Sequence, residues 1–244
     1  MKWILTHTGK HIDLLDPQPD QIDLADIAHG LSHECRFSGQ CRTFYSVAQH
    51  SVLVSRLVHA DIAFEALLHD ATEAYLKDIP SPLKDLLPDY RIIEARLSAV
   101  IRQRFELPAA HIHPAIQKAD VVALITEARD LMPAEASAWA SVYDVVSLAE
   151  RILPLNPADA KALFNERALQ LLLEHAKCDA AHANVIGAEN HRRRSGDCDL
   201  CGEWTGSLFD GACASCRARF KCETPTEHPP TRGACHDTNA TASE

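Results

Sequence analysis

The stretch that most constrains the fold is Phe64–Leu83, FEALLHDATEAYLKDIPSPL. Phe64, Leu67 and Leu68, then Tyr75 and Leu76, recur at the three- and four-residue spacing of a helix that lays one face on a core. His69-Asp70 closes the apolar run, and Glu73 follows one helical turn after His69. An imidazole and a carboxylate at the edge of a core need partners: hydrogen bonds within the core, or a metal ion. On a continuous helix over Asp61–Leu76, consecutive side chains lie about 100° apart. His69 and Asp70 then meet one ion only over the helix edge, with further ligands from neighbouring helices. The turn Ile79-Pro80-Ser81-Pro82 ends the segment, because each proline disfavours helix in the residue before it.

Two other amphipathic segments offer such ligands: His50 in YSVAQHS and Asp120 in IQKADVV. Two imidazoles and two carboxylates, His50, His69, Asp70 and Asp120, suit a divalent ion such as Mn, Co, Mg, Fe or Zn. A divalent ion there acidifies water and neutralises charge on phosphoryl oxygens, which makes the arrangement a hydrolytic one. The dipeptide alone is not specific, since His236-Asp237 repeats it with no apolar helix around it. Glu73 is placed to handle protons, against the alternative of a solvated helix face.

The order His50, His69-Asp70, Asp120 resembles the HD-domain phosphohydrolase superfamily, in particular its 5′-deoxynucleotidases and the phage enzymes that hydrolyse deoxynucleoside triphosphates. The resemblance covers roughly residues 28 to 132. It implies an all-α helical bundle, Glu73 and Asp70 as catalytic residues, and Asp78, in the Asp-x-Pro-x-Pro turn, against the sugar hydroxyl. It also implies that Arg36 and Phe37 meet phosphate and base, although Phe replaces the Trp of the bacterial nucleotidase and the loop Ser38–Arg42 is not theirs. Arg suits a phosphate because its planar fork donates two parallel hydrogen bonds. Arg42 competes for that role. Lys77 and Lys84 beside the turn add charge or are simply solvated. The function implied is metal-dependent hydrolysis of deoxynucleotides, first of 5′-monophosphates. The alternatives are a dATP-type triphosphohydrolase, or a nucleotide-sensing protein that docks through its C-terminal module.

The rest of the chain fits one helical domain, residues 1–177. Trp3, Leu5, Ile12 and Leu14 alternate around Gly9-Lys10, as in a short hairpin or irregular arm. Asp23 caps a helix to about Ser32; Ser46–His59, Tyr90–Phe105 and Pro114–Leu131 have helical pattern. Asn156-Pro157 starts a last helix to about Ala176 with Leu163, Leu169, Leu172 and Leu173 on its apolar face. Glu127 and Arg129 are placed either to support Asp120 or to form a surface salt bridge. Cys35 and Cys41 read as small buried thiols, and Trp139 and Tyr143 as core or a subunit interface in a homo-oligomer.

A formal net charge of −10 argues against a chain-wide basic surface for nucleic acid. No run reaches the roughly 18 apolar residues of a membrane helix, and the charged start MKWILTHTGK is unlike a signal peptide, so a cytoplasmic protein without membrane contact is expected. Nine cysteines, four of them in two CxxC pairs, favour metal over disulfides. Cys198, Cys201, Cys213 and Cys216 resemble a small zinc ribbon, with structural zinc, over residues 197–222. Residues 178–196 read as a linker and 223–244 as a disordered tail. Basic residues around the ribbon leave nucleic-acid or protein docking open beside the deoxynucleotide substrate.

Overall fold

The structure, a computed structural model, describes residues 3–109 and 112–195, with side chains as far as residue 176. The four CxxC cysteines and the expected tail lie outside those residues. The chain divides into two units, Met1–Glu174 and His175–Glu244. Among the described residues, the first unit holds every element except the C-terminal reach of the last helix.

Among the described residues the chain is mainly helical, as the sequence pattern predicts. Strands β1 (Trp3–Leu5) and β2 (His11–Asp13) form the N-terminal hairpin, paired antiparallel with Ile4 opposite Ile12. Gly9 takes φ 87° in its turn, a conformation that costs glycine little. The hairpin turn is tied to α1 (Leu24–His33) by Asp26, whose carboxylate accepts from the Thr8 backbone N–H and hydroxyl, both at 2.7 Å. Asp23 caps α1, accepting from Ala25 N at 2.9 Å, and Ser46 caps α2 (Val47–Arg56), accepting from Gln49 N at 3.2 Å.

The expected single helix over Asp61–Leu76 is two. Helix α3 (Ala60–Leu67) ends at Leu68, and α4 (Glu73–Leu76) starts afresh. Between them the chain winds through three-residue bonds, Ala71 N to Leu68 O at 3.1 Å and Glu73 N to Asp70 O at 2.9 Å. His69 and Asp70 sit in this break. The tighter winding turns their side chains toward a common point, which a regular helix allows only over its edge.

Four longer and shorter pieces complete the unit: α5 (Ser81–Lys84), α6 (Pro88–Arg104), α7 (Pro114–Leu131) and α8 (Trp139–Tyr143). Helix α9 runs Pro157–Ser195, beyond the end expected near Ala176. Ala180, Ala181, Ala183 and Ala188 supply the helix propensity for that extension. Its buried stripe also differs from expectation. Ala160, Phe164, Ala168 and Leu171 face the core, while Leu169, Leu172 and Leu173 are exposed. Small residues at i and i+8, Ala160 and Ala168, let the helix approach closely enough for Phe164 between them to be fully covered, and size-weighted counting of leucines misses that pattern.

The main core joins Ile12, Ile22, Ile27 and Leu31 to Val47, Val52, Leu67, Leu97, Ile101 and Phe164. A smaller cluster, Val54, Ala66, Ile116, Ala119 and Ala123, fastens α7 to α2 and α3. A charged pair seals the edge: Glu65, almost fully buried, accepts from Arg102 at 2.8 Å. Gly30 allows α1 to lie on α4, since a Cβ there would come within 2.6 Å of the Ala74 carbonyl oxygen. These contacts bring α2, the α3–α4 break and α7 to one place.

Candidate metal centre

Helix α2 contributes His50, fully buried; the α3–α4 break contributes His69 and Asp70; α7 contributes Asp120. His50, His69 and Asp120 each offer a ligand atom within 4.8 Å of the others. The His50 and His69 Nε2 atoms are 3.3 Å apart, and Asp120 Oδ1 lies 3.1 Å from the first and 3.9 Å from the second. Asp70 adjoins this group, its Oδ2 at 3.4 Å from His50 Nε2 and 3.2 Å from His69 Nε2.

The tautomers follow from the neighbours. His69 Nδ1 is 2.7 Å from the Ala66 carbonyl oxygen, which only accepts, so Nδ1 carries the hydrogen. His50 Nδ1 is 2.7 Å from Glu127 Oε1, a buried carboxylate that likewise accepts. Both Nε2 lone pairs therefore face each other and two carboxylates. Four acceptors at these distances repel unless a cation stands among them, whether a proton or a metal. Burial and Arg36 oppose a charge on His50, but Glu127, Asp120 and Asp70 prevail and raise its pKa well above the ordinary imidazole value. The donor set fits a divalent ion on the same grounds: neutral imidazole nitrogens with fixed outer hydrogen bonds, plus carboxylate oxygen.

Glu127 is the residue the sequence left undecided. It is fully buried on α7, with Oε1 accepting from Tyr45 Oη at 3.0 Å as well as from His50, and Oε2 accepting from Arg36 Nη2 at 3.1 Å. Burial alone would raise its pKa, yet His50, Arg36 and Tyr45 hold it below the usual value. Tyr45, also fully buried, was not singled out in sequence; a tyrosine one residue before a helix cap reads as core, and only the fold shows its hydroxyl on Glu127. Arg129 does not join the centre. It pairs with Asp130 at 2.7 Å and reaches Ser147 Oγ at 3.1 Å and the Glu150 carbonyl at 2.7 Å, pinning the segment after α8.

Glu73, the first residue of α4, is buried; its Oε1 stands 3.8 Å from Lys84 Nζ, while Oε2 has no hydrogen-bond partner among the described residues. Burial, then Asp70 and Asp78, push its carboxyl well above the usual range against Arg36 and Lys84. Lys84 is half-buried between Glu73 and Glu94, the latter at 2.7 Å, which answers the question of a solvated lysine.

Of the expected substrate contacts, Arg36 reaches the centre, its Nη1 3.8 Å from Asp70 Oδ2. It is already paired with Glu127, and its Nε is buried without a partner among the described residues. Phe37 follows in a left-handed conformation, φ 55°, with its ring 5.4 Å from the Arg36 guanidinium and 6.1 Å from the Trp139 ring. Asp78 is held by its backbone N–H on Glu34 at 3.3 Å; burial raises its carboxyl, with Asp70 adding and Arg36 opposing. Lys77 is turned elsewhere, salt-bridged to Glu34 at 2.8 Å with an exposed side chain. Arg42 is exposed, and its backbone N–H bonds the Leu131 carbonyl. Cys41 donates to the Arg36 carbonyl, and burial pushes its thiol up to about 12.

No family model matches the chain. Two curated relatives do. One is 46% identical over 180 residues, 73% of this chain and 99% of the relative, and is the uncharacterized protein YfdR of Escherichia coli. Another, an uncharacterized protein of Rhodobacter capsulatus, is 38% identical over 184 residues, 68% of this chain and 93% of the relative. At that identity over nearly the whole of YfdR, the chain belongs to the YfdR family.

Proposed function

We propose that the chain is a metal-dependent phosphohydrolase of deoxynucleotides, acting on deoxynucleoside 5′-monophosphates. The observation that carries this reading is the pair of imidazoles with both Nδ1 hydrogens committed outward and both Nε2 atoms converging with Asp120, Asp70 beside them. His50, His69 and Asp120 would hold the ion, with Asp70 as a fourth ligand. Such an ion supplies Lewis acidity toward a phosphoryl oxygen and a water acidic enough to be a nucleophile at neutral pH. Glu73, with one carboxyl oxygen unpartnered in an apolar setting, holds or passes a proton. Arg36 supplies a fixed positive charge at the rim, and Asp78 stands on the same side as an acceptor for a sugar hydroxyl. Phe37, beside that guanidinium, and Trp139, 6.1 Å from the Phe37 ring, offer apolar ring faces suited to a base.

The test is phosphate release from a panel of nucleoside mono-, di- and triphosphates, ribo and deoxy, with Mn, Co and Mg. Release from deoxynucleoside monophosphates, abolished by His69→Ala and by Asp120→Ala with loss of bound ion, is the expected result. Turnover confined to triphosphates would replace the nucleotidase reading with a triphosphohydrolase one. Full activity in Asp120→Ala would remove the centre from the reaction.

A further inference from the structure

A cavity of about 410 Å³, apart from the metal centre, opens between the hairpin, α1 and α4. Leu5 and His7 line it from the hairpin side, His29 and His33 from α1, and Tyr75 from α4; no ligand of the metal centre takes part. The His7 and His29 rings are stacked, with centroids 3.8 Å apart and planes within 6°, and the His33 ring is 4.2 Å from that of His29. Lys161 of α9 stands beside them, its Nζ 3.4 Å from both His7 Nε2 and His29 Nδ1.

An ammonium only donates, so those two ring nitrogens accept. The hydrogens then sit on His7 Nδ1 and His29 Nε2, and neither has an acceptor among the described residues. His33 Nδ1 donates to the His29 carbonyl oxygen at 2.8 Å, which fixes that ring as well. The acid that lines the cavity, Asp26, has both oxygens taken by Thr8. Lys77, at the rim, is neutralised by Glu34, whereas Lys161 makes no salt bridge among the described residues. Burial, then His33, His7 and Lys161, hold His29 below the ordinary imidazole value. The cavity thus carries two N–H donors, on the exposed His7 and the half-buried His29, with no protein acceptor among the described residues, and the Lys161 ammonium stands behind both rings, outside the lining.

We propose that this cavity is a second binding site, taking a phosphoryl group on the His7 and His29 N–H donors, with the Lys161 ammonium across the two rings as the nearby positive charge that polarises them. Oxyanions match such donors because charge-assisted hydrogen bonds to them are stronger than neutral ones. The apolar side, Leu5 and Tyr75, leaves room for whatever the phosphoryl group is attached to. Free phosphate and a nucleotide share this chemistry. The wall formed by Tyr75 and Ala74 belongs to α4, which starts at Glu73, so an occupant alters turnover as well; that consequence rests on the hydrolase reading, whereas binding does not.

The test uses the full chain with the metal centre stripped by chelator, so that no reaction intervenes. Imidazole nitrogen signals of His7 and His29, assigned through His7→Gln and His29→Gln, are followed by NMR as inorganic phosphate or a deoxynucleotide is added. Both signals should move and saturate. Lys161→Met should weaken the response roughly tenfold or more, as loss of a charged partner does, and Lys161→Arg should restore it. Saturation by phosphate alone identifies the free anion as ligand; saturation by nucleotide only identifies a phosphorylated molecule that also uses the Leu5–Tyr75 side. Unmoved signals, an equal response in Lys161→Met, or a response to added Zn but not to phosphate would each overturn the proposal, the last by making the three histidines a metal site.

Discussion

At the scale of single residues, Glu127 decides how the centre behaves. It fixes the His50 tautomer, anchors Tyr45 and balances Arg36, all from a site without water access. Glu127→Gln keeps shape but removes the charge, and partners of this kind typically change metal affinity about 10–100-fold. Competition against a fluorescent chelator should show a loss in that range, with the fold intact. Glu127→Leu leaves Arg36 and His50 unmatched in the interior and should cost about 3–5 kcal/mol in urea unfolding. Glu73 and Arg36 should separate kinetically. Glu73→Gln cannot take up a proton and should lower kcat by about 10²–10⁴ with the ion still bound. Arg36→Ala should raise KM, and, because Arg36 also serves Glu127, it should lower thermal stability too, which Glu73→Gln should not. Residue types and their order pointed to His50, His69 and Asp120, which the fold brings together as a group able to hold a metal ion. It did not show Glu127 as the outer partner of His50, because a lone Glu on an amphipathic helix looks the same whether it faces solvent or an imidazole 77 positions away.

At the scale of elements, the informative departures lie in the break between α3 and α4 and in the face of α9. Periodicity carries through Leu68 to Tyr75 unbroken, so the sequence reads as one helix. The break is visible only in the three-residue bonds that aim His69 and Asp70 together. Most other helices were legible from caps and prolines: Asp23, Ser46, Pro114 and Pro157 mark real starts. Gly30 was not, because its need arises from the Ala74 backbone of another element. Gly30→Ala should therefore push α4 off α1, cost about 1–3 kcal/mol as overpacking does, and lower kcat more than metal affinity, since Glu73 rides on α4 while His50 and Asp120 do not. Calorimetry, turnover and ion binding measured on one sample check this ordering.

At the scale of the whole molecule, acid sensitivity should come in part from the end of α7. Arg129 first, with the Ile152 N–H and Arg151, holds Asp130 below the usual carboxylate value against burial. A carboxylate depressed in the folded state stabilises fully above its unfolded value, about 3.9, and loses that contribution as pH falls through the folded one. The stability curve should thus drop below about pH 4, and Asp130→Asn should flatten that limb while lowering stability at pH 7. The CxxC cysteines carry a further prediction: protein ending at Lys177 should keep the hydrolytic activity proposed above and lose one tightly held zinc. Unfolding of the helical unit on that truncation would show that the two parts depend on each other. Glu127 has one more consequence, in folding kinetics. Its partners are 77 to 91 positions away, so closing those loops is costly and the centre exists only once α7 has docked on α2. An ion held there leaves when α7 undocks, and its dissociation rate in the presence of excess chelator becomes a clock for that single motion.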